Sequence, residues 1–137
     1  MNRIVIEAVP QHAMRHPYDQ GRLAPSPGEH AGDWFFDDSG DLVIRVTGDN
    51  LDKPEALLVA LHELVEAALC RREGVSQEAV DAFDSDFASY EGSMKWAFAD
   101  EPGDQLEAPY RPQHRRAMLI EHLMAQFMGL SDYGTVA

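Results

Sequence analysis

The sequence predicts an α+β domain in which a small antiparallel sheet, made from an N-terminal strand and a β-hairpin, packs on three helices. Three observations carry this. β-favouring runs are confined to residues 1–50, helical periodicity dominates residues 51–137, and the passages between elements are rich in Pro and Gly. With 137 residues and no internal repeat, the chain reads as a single domain, 1–137, long enough to bury a core without staples.

In chain order, Arg3–Val9 is the first strand, with Ile4, Val5, Ile6, Ala8 and Val9 β-favouring and Pro10 ending the run. The stretch from Pro17 to Gly32 is loop. Gly32–Thr47 reads as a hairpin, with Trp34, Phe35 and Phe36 on one strand, turn chemistry from Asp37 to Gly40, and Leu42–Val46 returning. Leu42, Ile44 and Val46 share one face, opposite Val43 and Arg45. The aromatics are expected to be core.

The first helix is expected from about Lys53 to Glu73. Asp52 is its expected N-cap, Glu55 the capping-box partner, and Pro54 lies in the first turn. Arg71 and Arg72 complement the C-terminal dipole, and Gly74 suits the left-handed cap. Its apolar stripe is Leu58, Leu61, Val65, Ala68 and Leu69. A second helix from Ser76 carries Val80, Phe83, Phe87 and Tyr90 on one face, and from Gly92 to Tyr110 the pattern gives way to a loop pinned by Trp96 and Phe98. The third helix opens at Pro112 and closes at Gly129, with Ala117, Ile120, Met124 and Phe127 on one stripe and His114, Met118, Glu121 and Ala125 on the next.

Composition removes several function classes. A net charge of −13 repels nucleic acid and anionic membranes, and no stretch approaches transmembrane length. A single cysteine, Cys70, excludes an intrachain disulfide and points to a reducing compartment, and the apolar run near the N-terminus is too short for a signal peptide. A soluble cytoplasmic protein with capacity for cations is the expectation.

The chemistry lies in Leu61–Cys70, LHELVEAALC. His62 and Glu66 are four residues apart on one helical stripe with Glu63 on its flank, so an imidazole and a carboxylate reach one cation. The competing reading is a solvated surface pair. The third helix also bears His114 and Glu121 beside its core face. If the two helices pack through their apolar stripes, His62, Glu66, His114 and Glu121 surround one metal, with His122 as the alternative histidine. His114 and Glu121 are seven residues apart, about 10.5 Å along the axis. His114 is therefore placed first as a direct ligand, and Glu121 is expected to orient a ligand or bind water. Glu121 paired with Arg115 or Arg116, and a buried His114 bonded to a carbonyl, are the bland alternatives. Asp84 and Cys70 are weaker candidates, and His12, His16 and His30 match no ligand spacing.

HELVE on a helix that follows a hairpin resembles the core of zincin metallopeptidases, whose helix carries HExxH. The resemblance implies that His62 is a ligand, Glu63 the general base acting on a metal-activated water, and a later helix the source of the third ligand. The departure is Glu66, where zincins have their second histidine. A carboxylate there still binds Zn²⁺ and makes Mn²⁺ or Fe²⁺ plausible occupants. GDWFFDDSGDLVIRV, ALHELVEAALCRREGVS, VDAFD, EPGD and APYRPQHRRAMLIEHLMA are similar to a family of small bacteriophage and prophage proteins of uncharacterised activity, which implies an intracellular protein of an infected bacterium.

The function expected is metal-dependent hydrolysis, with a peptide or amide bond favoured. The alternatives are a non-catalytic, metal-stapled module that binds a host protein, and a hydrolase of nucleotides or phosphorylated small molecules. The last takes its motive from Arg71, Arg72, Arg111, Arg115 and Arg116 at the helix ends.

Overall fold

A computed structural model describes residues 1–16, 30–89 and 101–133. The elements are β1 (Ile4–Val9), β2 (Gly32–Phe36), β3 (Leu42–Thr47), α1 (Pro54–Glu73), α2 (Gln77–Ser89) and α3 (Arg111–Phe127), with short 3-10 turns at Gln11–Ala13 and Pro102–Asp104. This is the α+β arrangement of a small sheet and three helices expected from the sequence. The part of the expected Gly92–Tyr110 loop that precedes Glu101, including Trp96 and Phe98, and the place of Tyr90 lie outside the described residues, as does most of the Pro17–Gly32 passage.

The sheet corrects one expectation. Its order is β1-β3-β2, and although β2 and β3 form the antiparallel hairpin, β1 runs parallel to β3, so the sheet is mixed. β2 begins at the end of the sheet where β1 ends, with Gly32 beside Val46 and Val9 beside Thr47, but with one strand position left between them, so the tight turn after β2 returns β3 into that place, antiparallel to β2 and parallel to β1. β3 is the central strand, and Leu42, Val43, Ile44, Val46 and Thr47 are all buried along it. The hairpin is set by Asp37, whose Oδ1 accepts the N–H of Ser39 at 2.9 Å and of Asp41 at 3.0 Å, while Gly40 takes φ +80°. Asp41 in turn receives the Arg3 N–H at 3.1 Å, tying the start of β1 to the turn.

The outer edge of β2 is covered. Arg15 donates to Asp33 at 2.6 Å, to the Trp34 carbonyl at 3.1 Å and to Asp81 at 3.0 Å, and Gln77 accepts the Phe36 N–H at 2.8 Å. These bonds join the segment after β1, the sheet edge and α2, and they leave that edge closed to strand addition.

α1 differs from expectation at its start and in the face it buries. Lys53 is the N-cap and makes no side-chain capping bond, so the expected Asp52–Glu55 box does not form; the Asp52 N–H that Glu55 would have taken donates instead to Asn50 Oδ1 at 2.9 Å. Gly74 takes the left-handed cap as expected, at φ 77°. The side chains α1 buries in the main core are small, namely Ala56, Ala60, Ala67 and Cys70, and the core they join includes Trp34, Leu42, Ile44 and Val46 of the sheet. Small residues bring a helix close to a sheet. Ala68, expected in the stripe, is exposed, and Leu61, Val65 and Leu69 are only half-buried.

α3 departs further. The residues it buries are Gln113, His114, Ala117, Glu121 and Ala125, while Ile120, Met124 and Phe127 of the expected apolar stripe are exposed. α1 and α3 run antiparallel, since Glu73 meets Arg116, Glu66 meets His114 and His62 meets Glu121. No helix among the described residues is long and apolar enough to cross a membrane.

Candidate metal centre

The antiparallel packing of α1 on α3 puts two histidines and a glutamate at one point. His62 Nε2 lies 3.2 Å from Glu66 Oε2 and 3.2 Å from His114 Nδ1, and His114 Nδ1 lies 3.0 Å from Glu66 Oε2. All three residues are buried, at 7%, 5% and 3% exposure, and they form a group that can hold a metal ion. A tetrahedral zinc with ligands at about 2.0–2.1 Å sets its donor atoms roughly 3.3 Å apart. The triangle therefore has the edge length and donor chemistry such an ion needs.

Each donor is held from behind. His62 Nδ1 lies 2.7 Å from Glu121 Oε1, and the Tyr133 hydroxyl donates to Glu121 Oε2. Glu66 Oε1 accepts the indole N–H of Trp34 at 3.0 Å. His114 Nε2 faces Asp104 Oδ1 at 3.2 Å and Glu101 Oε2 at 3.3 Å. A carboxylate on the far nitrogen fixes the tautomer and orientation of an imidazole and raises its basicity toward a cation.

The turn at Pro102–Asp104 is shaped to reach that ring. A Cβ placed on Gly103 would stand 2.5 Å from His114 Cγ and 2.6 Å from its Nδ1, so only glycine lets the backbone lie against the imidazole. Two carboxylates flank this glycine, which is why they converge on one nitrogen.

Protons occupy the cluster when no cation does. Burial alone would lower both histidines, but Glu121 and Glu66 hold His62 up to about 10, and Asp104, Glu101 and Glu66 hold His114 up to about 12. Burial would raise Glu66, yet hydrogen bonds from His114 and His62 bring it down to about 2. Two imidazolium N–H groups then point at one carboxylate oxygen, the alternative to a shared cation.

Glu63 lies beside this group rather than in it. It is half-buried, and among the described residues it accepts no hydrogen bond. Burial, with the charges of Glu66, Asp33 and Glu101, pushes its carboxyl well above the ordinary range, against the opposing pull of His62. Its side chain rests on Gly32 at the start of β2, where an added Cβ would stand 2.8 Å from Glu63 Cγ.

Of the residues singled out in the sequence, the structure brings His62, Glu66 and His114 together and sets Glu121 behind His62. His122 lies edge-on to the Tyr133 ring at 5.8 Å, outside the group. Cys70 is fully buried, and its thiol is pushed up to about 12 by burial and by the charges of Glu66, Glu73 and Glu63. Asp84 accepts the Tyr110 hydroxyl, His30 Nδ1 lies 2.6 Å from the Thr47 carbonyl, and His16 lies 3.4 Å from Asp81. Arg116 is engaged with Glu73 at 2.6 Å, and Arg71 lies over the Phe36 ring at 5.0 Å. Sequence reasoning missed Trp34, Glu101, Asp104 and Tyr133. Only the acidic-Pro-Gly-acidic turn, EPGD, carries a local signal that could have flagged two of them. No protein-family model, curated protein or solved structure matches the chain.

Proposed function

We propose that the chain is a metal-dependent hydrolase whose cation is held by His62, Glu66 and His114. The observation that carries this reading is the buried triangle of three donor atoms with edges of 3.0–3.2 Å, each donor oriented from behind. Three protein donors leave a coordination position that a four-donor structural staple closes. Zn²⁺ suits two imidazoles and a carboxylate, with Mn²⁺ and Fe²⁺ next. When bound, such an ion supplies Lewis acidity and brings water to a pKa of about 7.

The chain's own residues supply the rest. Glu63 follows His62 on α1, is free of hydrogen bonds among the described residues, and has a carboxyl whose affinity for protons is raised. Those properties suit a group that takes a proton from the attacking water and returns it to a leaving amine. Glu121, Asp104 and Glu101 keep the imidazoles facing inward, and Trp34 keeps one oxygen of Glu66 occupied so that the other faces the cation. An amide bond is the substrate class supported by the resemblance of HELVE to HExxH. Because Arg15 and Gln77 cover the outer edge of β2, a peptide would reach the site without pairing along Trp34–Phe36.

Elemental analysis of the gel-filtered protein beside His62→Ala tests the centre. One transition metal per chain, lost in the variant, is expected; none in either protein after incubation with zinc or manganese would overturn it. Glu63→Gln then separates enzyme from staple, with metal and fold retained and amide hydrolysis reduced by about 10²–10⁴-fold. Retained metal with no turnover by the wild type on an amide panel, and no effect of Glu63→Gln on stability, would leave a metal-stapled binding module as the reading.

A further inference from the structure

The exposed face of α3 is unlike the rest of this acidic protein. Among the described residues, Leu119, Ile120, Leu123, Met124, Phe127 and Met128 are all exposed, with Leu119 at 71% and Phe127 at 76%. Leu119, Leu123 and Phe127 step four residues at a time along one row, and Ile120, Met124 and Met128 form the adjacent row. The side of α3 that faces α1 is instead built on His114, Ala117, Glu121 and Ala125. α3 thus has a polar inner face committed to the candidate metal centre and an apolar outer one.

We infer that this outer face of α3 is the interface of a two-fold homodimer, formed by a second copy of the same chain. Area is the first argument. The exposed fractions amount to roughly 600 Å² of apolar side chain per copy, at the upper end of what monomers leave open. Full coverage of both faces would bury about 1,200 Å², where specific interfaces begin.

Charge is the second argument. With a net charge of −13, two copies repel through most of their surface. α3 differs, because Arg111 and Arg115 lie on it, Arg116 is paired with Glu73, and its single acidic residue, Glu121, is buried. Meeting through α3 brings together a helix face that exposes no carboxylate of its own.

Geometry is the third argument. A row with four-residue spacing is a ridge that fits the groove beside the same ridge on another helix. In a two-fold pair with the two α3 helices antiparallel the contacts are reciprocal, so Leu119 of one copy meets the Phe127 end of the other and Leu123 lies at the centre. The row is its own complement, and no partner of different shape is required.

Sedimentation velocity and light scattering on the intact protein, from low to high micromolar, test the inference. The expected mass is twice the 15.3 kDa of one chain. Leu123→Glu combined with Phe127→Glu should give a monomer with unchanged far-ultraviolet circular dichroism and unchanged metal content, since neither residue touches His62, Glu66 or His114. Leu123→Cys provides a readout independent of that variant. It should cross-link to itself across the two-fold under mild oxidation, with Cys70 buried and silent, whereas Leu106→Cys, exposed but outside α3, should not. A monomeric wild type at every concentration, including one that instead binds lipid vesicles or a different protein, would overturn the inference. A dimer that survives the double substitution, or equal cross-linking at the two cysteines, would do the same.

Discussion

His62 Nε2 stands 3.2 Å from His114 Nδ1, and both nitrogens lie within 3.2 Å of Glu66 Oε2. Glu66 and Glu121 around one ring and Glu66, Asp104 and Glu101 around the other favour positive charge there, as protons or as one cation. This choice makes metal binding a proton-exchange reaction.

Zinc should raise the melting temperature of the protein and a chelator should reverse the gain. A ligand at about 100 times its Kd adds about 2.7 kcal/mol. Binding must displace protons from histidines held at about 10 and about 12, so affinity rises with pH across the neutral range. Calorimetry in buffers of different ionisation enthalpy should count close to two protons released per ion at pH 7. A pH-independent affinity would mean that zinc binds elsewhere.

Trp34→Phe keeps the ring but removes the N–H that reaches Glu66 Oε1 at 3.0 Å. A buried carboxylate oxygen is left unpaired, at a cost of about 1–3 kcal/mol. Urea unfolding of the metal-free protein should show that loss. Competition with a chromophoric chelator should show zinc affinity weakened by about 10–100-fold.

Gly103→Ala forces a methyl to within 2.5 Å of His114 Cγ. Either the turn or the ring must move, which overpacking data put at about 1–3 kcal/mol. Zinc affinity should fall with stability. Gly40→Ala has open space for its methyl but a backbone at φ +80°, so it should cost stability and leave zinc affinity unchanged.

Asp104→Asn should weaken zinc binding by about tenfold or more, because His114 Nε2 loses a charged partner at 3.2 Å. Glu101→Gln, at a carboxylate whose side chain is 55% exposed, should have the smaller effect. Isothermal titration of the two variants side by side checks the ranking.

Far from the centre, Asp81 gives a pH prediction of known sign. Burial would raise it, but hydrogen bonds from His16 and Arg15 hold it at about 2 against an ordinary 3.8. A depressed carboxylate contributes stability that is full above its unfolded value and lost as pH falls through its folded one. The stability gap between wild type and Asp81→Asn should therefore be constant above about pH 5 and close as pH approaches about 2, as read by denaturant titration.

Much of the fold was legible because its signals are local. Alternation in Leu42–Val46, the Asp37–Gly40 turn, Pro54 and Gly74 each act within a few residues, and each marks an element boundary or face that the structure contains. The parallel pairing of Ile4 with Leu42 has no local signature, since it depends on β2 leaving the place beside β1 to β3. α3 misled for a different reason. Periodicity assigns the apolar row to the core, but the buried face here is polar, with Glu121 and His114 bonded to His62, Asp104 and Glu66. Mutual hydrogen bonding offsets the desolvation that would otherwise keep such groups outside. His62 and Glu66 showed themselves by helical spacing, whereas Trp34 and Asp104 reach the cluster from a strand and a turn, 32 and 10 positions away in sequence from their partners.

The bond from Trp34 to Glu66 makes the cluster visible to light. An indole whose N–H ends on a carboxylate emits according to the charge and motion of that carboxylate, so exchange of protons for a cation at Glu66 reaches the chromophore directly. The chain has two tryptophans, and Trp96→Phe would leave Trp34 as the lone emitter. The candidate centre would then carry its own spectroscopic gauge, and any loading with a cation could be followed in real time without a dye.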